Sequence, residues 1–361
     1  PVPPSIGEMK TKPTQYAVRT LNSAGIRPDF LICRSTLEVD KPRKEKIARF
    51  CSVPWDHIIA APDAKSVYNI PQLFEDQSFA DHILKSFGLK PRKNDLSKWL
   101  EFTIKVNSAT DTIKIGVIGK YFSTGDFTLS DAYISVLEAI KHAAAYEGVK
   151  SEIYWLNSEE YEENPERLSE LSGLNGVLIP GGFGSRGIEG KIKVIEYGRK
   201  NKIPYLGLCY GMQCAVIEYA RNVLGWKDAH TAEINKSSEY PVIHLMESQE
   251  ENIKEGSYGG TMRLGSYPCV LKDGTFSKNA YGQNRISERH RHRYEFNNEY
   301  REKLESAGLV IAGLSPDELL VEIVEVKDHP FFVGVQFHPE FQSRPLSPHP
   351  LFEAFIRAAK G

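Results

Sequence analysis

Cysteine is scarce in this chain, with five in 361 residues: Cys33, Cys51, Cys209, Cys214 and Cys269. They are scattered and form no Cys-x-x-Cys pair, which excludes a disulfide framework and a zinc-ribbon site and favours a reducing, cytoplasmic setting. Long apolar runs are missing as well. The longest uncharged, mostly apolar stretch, Ile203 to Ile217, is broken by Pro204, Gly207, Gly211 and Gln213 and falls short of the ~18–20 residues that span a bilayer. No membrane partner is expected. Neither charge sign dominates, with 45 Lys+Arg against 47 Asp+Glu, so bulk attraction to nucleic acid or anionic lipid is removed. The phosphate-loop pattern Gly-x-x-x-x-Gly-Lys-Ser/Thr occurs nowhere. An initiator Met is absent too, and the opening Pro1-Val2-Pro3-Pro4 reads as an interior stretch of a longer chain.

What is present organises into more than one domain, since 361 residues exceed the usual ~100–150 per domain. The chain turns polar between Lys90 and Thr112, ending in Asn107-Ser108-Ala109-Thr110-Asp111-Thr112. The expected division is therefore residues 1–100, a linker over 101–111, and residues 112–361. Upstream, Pro28–Cys33 reads as a strand and Pro42–Phe50 as a short basic helix, too little for a complete α/β domain. Downstream, buried-strand runs recur at Ile113–Ile118, Glu152–Leu156, Gly176–Ile179 and Ile203–Leu208. Between the first two, Tyr133, Val136, Leu137, Ile140 and Ala144 follow the spacing of one helical face over Ser130–Tyr146. This alternation predicts an α/β fold with a doubly wound, mostly parallel sheet. Leu309–Ala312, Leu319–Val326 and Phe331–Gln336 are expected to add antiparallel strands.

Three elements carry chemistry. An apolar strand runs into Gly207-Leu208-Cys209-Tyr210-Gly211, which places the cysteine on a tight strand-to-helix turn that flanking glycines make feasible. A helix starting at Tyr210 would aim its positive end at the sulfur and favour the thiolate. Alone, such a cysteine also reads as a buried structural residue. The second element is Phe337-His338-Pro339-Glu340 at the end of another apolar strand, where a base and its orienting carboxylate leave the sheet together. The third is Pro180-Gly181-Gly182-Phe183-Gly184 after a strand, a turn whose exposed N–H groups suit an oxyanion hole, though such turns also bind phosphates or simply turn. Arg289-His290-Arg291-His292-Arg293 splits on a strand into an arginine face and a histidine face. With no interleaved aromatics for base stacking, it does not read as a nucleic-acid patch.

Pro-Gly-Gly-Phe-Gly, Gly-Leu-Cys-Tyr-Gly-Met-Gln and Gln-Phe-His-Pro-Glu, in this order and spacing, resemble a class I, triad-type glutamine amidotransferase domain of flavodoxin-like architecture. More narrowly, the chain resembles the CTP synthase family. The residues that carry this are Gly119-Lys120-Tyr121 with Ser130-Asp131-Ala132-Tyr133, Gly184 to Lys191, Gly259 to Gly265, Glu288 to Tyr294, Gly7 to Gln15 and Ile32 to Ser35. Residues 1–100 then correspond to the carboxyl-terminal part of a P-loop-type α/β synthetase (amidoligase) domain.

The resemblance implies that glutamine is hydrolysed through a thioester and that the ammonia aminates ATP-phosphorylated UTP to give CTP. It makes Cys209 the nucleophile, His338 the base and acid, and Glu340 its orienter, with an oxyanion hole at the backbone of Gly182 and Tyr210. Glutamine recognition would fall to Gly182, Tyr210, Gly211, Met212, Gln213, Glu233 and Arg293, a carboxylate and a guanidinium suiting a zwitterionic amino acid. UTP and the inhibitory product CTP would share Lys10, Thr11, Lys12, Pro13, Thr14, Gln15 and Lys46, with Lys10 and Lys12 projecting to one side of an extended segment. Arg34, Asp63 and Ala64 correspond to ATP contacts. Arg186, Gly187 and Glu189 match the loop associated with GTP, the allosteric activator. Mg2+ would accompany ATP, but nothing here matches the family's phosphate loop or metal carboxylates, so no metal ligand is expected in this chain. The resemblance further implies a homodimer or homotetramer through the synthetase part, with filaments as a further form. On its own the chain supports glutaminase chemistry. A γ-glutamyl hydrolase is disfavoured by the stretch Pro1 to about Leu100, and a catalytically dead structural copy by the intact Cys209, His338 and Glu340.

Overall fold

The structure, a computed structural model, describes residues 2, 7–92, 95–120, 123–124, 127–128, 133–246 and 262–361. Tyr121, Ser130, Asp131, Ala132, Gly259, Gly260 and Thr261, which carry part of the resemblance above, lie outside the described residues. The chain forms two compact units, Pro1–Ile104 and Lys105–Gly361.

In the first unit, Leu31–Ser35 and Ile58–Pro62 pair in parallel, Leu31 opposite Ile58 and Ser35 opposite Pro62. Val18, Val39, Ile47, Cys51, Val53, Ile58 and Ala60 form its core. The basic helix spans Lys41–Cys51, capped by Asp40, whose carboxylate accepts the Arg43 N–H at 3.0 Å. The segment around Lys10 departs from the extended form expected. Thr11 is already helical in φ and ψ, and Lys12–Ser23 is an α-helix with Pro13 in its first turn, where a missing N–H costs nothing. Within the expected linker, 101–111, the chain is helical as far as Ser108, in the helix Ser97–Ser108. Apolar side chains hold this helix: Phe102 is buried and meets Tyr68 edge-on, ring centroids 4.9 Å apart.

The second unit is built on a nine-stranded sheet. Its order is Arg285–His292, Arg263–Leu271, Leu309–Leu314, Val321–Val326, Phe332–Val335, Tyr205–Leu208, Gly176–Ile179, Thr112–Gly119, Lys150–Asn157. The last five run parallel and the first four form an antiparallel wing. Alternate residues supply the two faces. Val177, Ile179 and Tyr205 pack toward the helices Ile188–Lys200 and Tyr210–Asn222, while Leu178, Leu206 and Leu208 pack toward Ile134–Tyr146 and Pro350–Lys360. One strand differs from the reading above. Phe332–Val335 is antiparallel to Val321–Val326 on one side but parallel to Tyr205–Leu208 on the other, Val335 opposite Leu208. It is the seam between the wing and the doubly wound sheet, so its carboxyl end and that of Tyr205–Leu208 emerge side by side.

The helix Ile188–Lys200 lies so close to the segment at Ser158 that a Cβ on Gly190 would sit 1.7 Å from the Ser158 carbonyl oxygen. Alanine normally gains ~1 kcal/mol over glycine in a helix. Gly190→Ala is expected instead to lose about 1–3 kcal/mol through forced displacement. Gly198→Ala in the same helix, whose Cβ would meet nothing nearer than 3.9 Å, should be neutral or stabilising. Denaturant midpoints of the two variants check this, and a Gly190→Ala midpoint at or above wild type would contradict the packing.

Candidate active site

Cys209 follows the strand Tyr205–Leu208 and caps the helix Tyr210–Asn222 with φ 49° and ψ −96°. A positive φ in a residue with a Cβ costs on the order of 1–3 kcal/mol and persists only where its surroundings enforce it. Here the Cys209 N–H donates to Val335 O at 2.6 Å and the Cys209 carbonyl accepts from Gln213 N–H at 3.2 Å. The Tyr205 hydroxyl donates to Gly211 O at 2.9 Å. Both flanking glycines are required by space. A Cβ on Gly211 would stand 2.4 Å from Ile179 O, and one on Gly207 2.5 Å from the Tyr205 hydroxyl. Tyr210, Gly211 and Met212 open the helix, so their N–H groups have no carbonyl one turn back and point past the sulfur.

His338 leaves the adjacent strand, its N–H donating to Arg289 O at 2.8 Å. Pro339 then starts a short 3-10 turn, Pro339–Phe341, that swings Glu340 back. The His338 Nδ1 and Glu340 Oε1 are 2.8 Å apart, so Nδ1 carries the hydrogen and Nε2 is free to serve the sulfur. Gly181 makes room for the imidazole, since a Cβ there would lie 2.6 Å from His338 Cε1. Phe341 stacks on the ring at 5.4 Å. Burial alone would depress the His338 pKa, but the neighbouring Cys209 and the hydrogen bonds to Cys209 and Glu340 outweigh it and raise it to about 10. By contrast, burial, reinforced by the Arg263 charge, pushes His290 and His292 down to about 2 and about 3. They are neutral at working pH, and the charged imidazole at the sulfur is His338. The alternation expected of the Arg-His run is present: His290 and His292 are buried, Arg289 and Arg291 exposed.

The remaining residues assemble around this pair. The Gly184 N–H donates to Glu233 Oε1 at 3.1 Å, and the Tyr210 hydroxyl donates to Gly184 O at 2.7 Å. Burial raises the Glu233 pKa, while the Gly184 N–H, Lys120 and Arg293 oppose the rise, which puts Arg293 within electrostatic reach of that carboxylate. Gly182 lies beside the Tyr210 ring. Met212 packs into the core, leaving its backbone as its contribution to the helix's first turn. Gln213 is likewise committed within the protein, donating to Tyr294 O at 3.0 Å and to Gln336 Oε1 at 3.2 Å. Two participants, although they fall in motifs quoted above, had no role assigned from the sequence. Gln336, buried one residue beyond the strand Phe332–Val335, donates from Nε2 to Cys209 Sγ at 3.6 Å. Lys120 donates from Nζ to Phe183 O, pinning the glycine turn. Gln336 opens the Gln-Phe-His-Pro-Glu motif, which is the one local signal available for it.

The nucleotide-associated residues gather in smaller groups. Lys10 is 2.5 Å from Glu8, and Lys10, Arg43 and Lys46 together hold the Glu8 carboxyl below its ordinary range, Lys10 most. Thr11 accepts from Gln15 Nε2 at 3.1 Å, and Lys12, Pro13 and Thr14 lie in the same first helical turn. Arg34 and Asp63, at the ends of the paired strands, form an exposed 3.0 Å ion pair, with Ala64 next to it. Arg186 is held by both oxygens of Glu159. Gly187, at φ 73°, precedes the helix carrying Glu189, whose carboxylate accepts from Arg221 at 2.7 Å.

The amidotransferase geometry has its counterpart in known proteins. The glutamine amidotransferase class-I family matches residues 128–358 and the CTP synthase N-terminus family matches residues 1–89. The chain is 50% identical over 353 residues to a CTP synthase of Caldanaerobacter subterraneus subsp. tengcongensis, covering 98% of this chain and 64% of that protein. It is also 50% identical over 354 residues to a CTP synthase of Clostridium perfringens, with the same coverage. The chain thus spans about 64% of the length of the curated relatives it matches. Among solved structures, the glutaminase domain of Trypanosoma brucei CTPS with bound acivicin aligns with TM-score 0.64 and 38% identity, over 69% of this chain and 94% of that one. The chain belongs to the class-I glutamine amidotransferases, and in front of that domain it carries a segment matching the CTP synthase amino terminus.

Proposed function

We propose that the Lys105–Gly361 unit hydrolyses L-glutamine, and that in the longer protein the ammonia released aminates ATP-activated UTP to give CTP. The observation that supports the first half most directly is the emergence of Cys209 and the Glu340-bound His338 from adjacent parallel strands. In this reading the Cys209 sulfur attacks the side-chain carbonyl carbon of glutamine. N–H groups of Gly182 and Tyr210 hold the oxyanion, preorganised donors of the kind whose loss costs ~10²–10³ in rate. His338 passes its proton to the departing nitrogen as the C–N bond breaks, then takes one from the water that cleaves the thioester. Glu233 pairs with the substrate ammonium and Arg293 with its carboxylate.

The second half rests on the similarity to CTP synthases over 98% of this chain. UTP, and CTP as inhibitor, would engage Lys10–Gln15 and Lys46, ATP would engage Arg34, Asp63 and Ala64, and GTP would act at Arg186, Gly187 and Glu189. Arg186 would have to exchange Glu159 for a phosphate. Mg2+ asks for an octahedron of oxygens, and the one group of three potential ligands among the described residues, Asp56, His57 and His82, is two-thirds imidazole. These residues do not fit the ion that would accompany ATP. Five free cysteines agree with a reducing, cytoplasmic setting, and assembly as a homodimer or homotetramer belongs to the same reading. Among the described residues no helix is long and apolar enough to cross a membrane.

Cys209→Ala is expected to lower glutamine hydrolysis by at least ~10³-fold with the fold intact, and equal activity in both proteins would sink the assignment. Glu340→Gln should cost roughly 10²–10⁴ in kcat. Because the His338 pKa is raised in the folded state, its stabilising contribution is complete below its ordinary 6.5 and lost as the pH rises through about 10. The Tm of wild type should therefore fall between those values more steeply than that of Glu340→Gln, as thermal melts across pH would record. For the full-length protein, CTP formation from UTP and ATP with glutamine or ammonia is the assay. Failure with both nitrogen donors would refute the second half while leaving the glutaminase untouched.

A further inference from the structure

The first unit holds a cluster that the chemistry above leaves unused. Asp56 and His57 lie in the 3-10 turn Trp55–His57, directly before the strand Ile58–Pro62, and His82 lies on the helix Phe79–Ser86. One donor atom of each of the three lies within 4.8 Å of the other two, and all three residues are half-buried. Asp56 Oδ2 and His82 Nδ1 are 3.7 Å apart, and the two imidazole centroids are 5.8 Å apart.

The surroundings prepare one imidazole in particular. His57 Nδ1 is 2.9 Å from the Asp29 carbonyl oxygen. A carbonyl can only accept, so Nδ1 bears the hydrogen and Nε2 keeps its lone pair. This is the carbonyl-anchored arrangement that orients metal-ligating histidines. The ring is further fixed by stacking on Phe30, centroids 4.1 Å apart and planes 12° apart, with Phe79 edge-on to Phe30 at 5.6 Å. An Asp56–His82 ion pair would account for two of the three residues. It leaves unexplained why a second imidazole is held rigidly at the same point with a free lone pair.

We infer that Asp56, His57 and His82 form a binding site for a divalent transition-metal ion of the Zn2+ type. Two imidazole nitrogens and one carboxylate oxygen form a borderline-soft donor set that suits Zn2+ and Co2+ rather than Mg2+ or Ca2+. Bond lengths of ~2.0–2.1 Å at tetrahedral angles place donor atoms ~3.4 Å apart. Asp56 and His82 are already close to that spacing, and the remaining contraction lies within rotation of half-exposed side chains. Water would complete the coordination. The ion would clasp the turn leading into Ile58–Pro62 to the helix Phe79–Ser86, closing the intervening loop and stabilising this unit.

The test uses the whole chain, stripped with a chelator and titrated with Zn2+ against a chromogenic competitor. One Zn2+ per chain is expected at micromolar affinity or tighter, with Tm raised by several degrees. The Co2+-loaded chain should show tetrahedral d–d bands without a sulfur-to-cobalt charge-transfer band. His57→Gln and His82→Ala should each weaken Zn2+ binding at least ~10-fold, the range seen when ligands or their supports are lost, and abolish the rise in Tm. Asp56→Asn, nearly unchanged in shape, guards against misfolding as the cause and should also weaken binding, with far-UV circular dichroism unchanged in all three. Cys209→Ala should bind as wild type. The inference is overturned if no saturable binding occurs at micromolar Zn2+, if binding survives His57→Gln and His82→Ala, or if it disappears in Cys209→Ala, which would place the ion at the thiol.

Discussion

The amidotransferase unit turns on one pairing, that of Phe332–Val335 with Tyr205–Leu208. Because it is parallel and in register, Val335 opposite Leu208, both chains leave the sheet at one edge. The hydrogen bond from Cys209 N–H to Val335 O continues the ladder one residue beyond the strands and holds the strained cysteine in place. Slip this register by one residue and every side chain of the strand exchanges faces, with His338 carried away from the sulfur. Gly207 and Gly334 face each other across the pair, and a Cβ on Gly334 would press on Met212 at 3.1 Å. The helix Tyr210–Asn222 can therefore lie close over the seam, which is what brings its first turn to bear on the sulfur.

Electrostatics then separates the roles of residues that look alike in composition. His338 has Glu340 hydrogen-bonded to Nδ1 at 2.8 Å and Cys209 as neighbour, whereas Glu322 stands 3.7 Å from His290 Nδ1. His290 and His292 are buried beside Arg263 and hydrogen-bond to each other at 3.0 Å, which keeps them uncharged. The same contrast governs the carboxylates. Glu340 is spent on the imidazole, whereas Glu233 is raised by burial and balanced by Gly184 N–H, Lys120 and Arg293.

Much of this was legible in the sequence because its determinants are local. The Gly-x-Cys-x-Gly turn and the His-Pro-Glu ending each lie within a few residues of a strand end, and the runs 113–118 and 176–179 are strands of the sheet, as is the 205–208 part of 203–208. What escaped was set by partners far along the chain. Nothing within Phe331–Gln336 says that one neighbour is antiparallel and the other parallel, since the latter begins at Tyr205. Gln336 and Lys120 find their acceptors 127 and 63 residues away. Pro13 reads equally as a stiffener of extended chain or as the first turn of a helix, and Val18 packing into the core of its unit decides for the helix. The polar stretch before Thr112 concealed Phe102, whose burial against Tyr68 makes the segment helical.

Tyr210 joins two things usually treated apart. Its backbone starts the helix that follows Cys209, while its hydroxyl donates to the carbonyl of Gly184 in the opposite loop. The loop bearing Gly182 is therefore strutted from the very residue that follows Cys209. A displacement of the glycine turn, which Glu233 and Lys120 also hold, is passed to the helix Tyr210–Asn222 through the Tyr210 side chain. If the N–H groups of Gly182 and Tyr210 hold the oxyanion as proposed, this hydrogen bond links the two donors through one side chain.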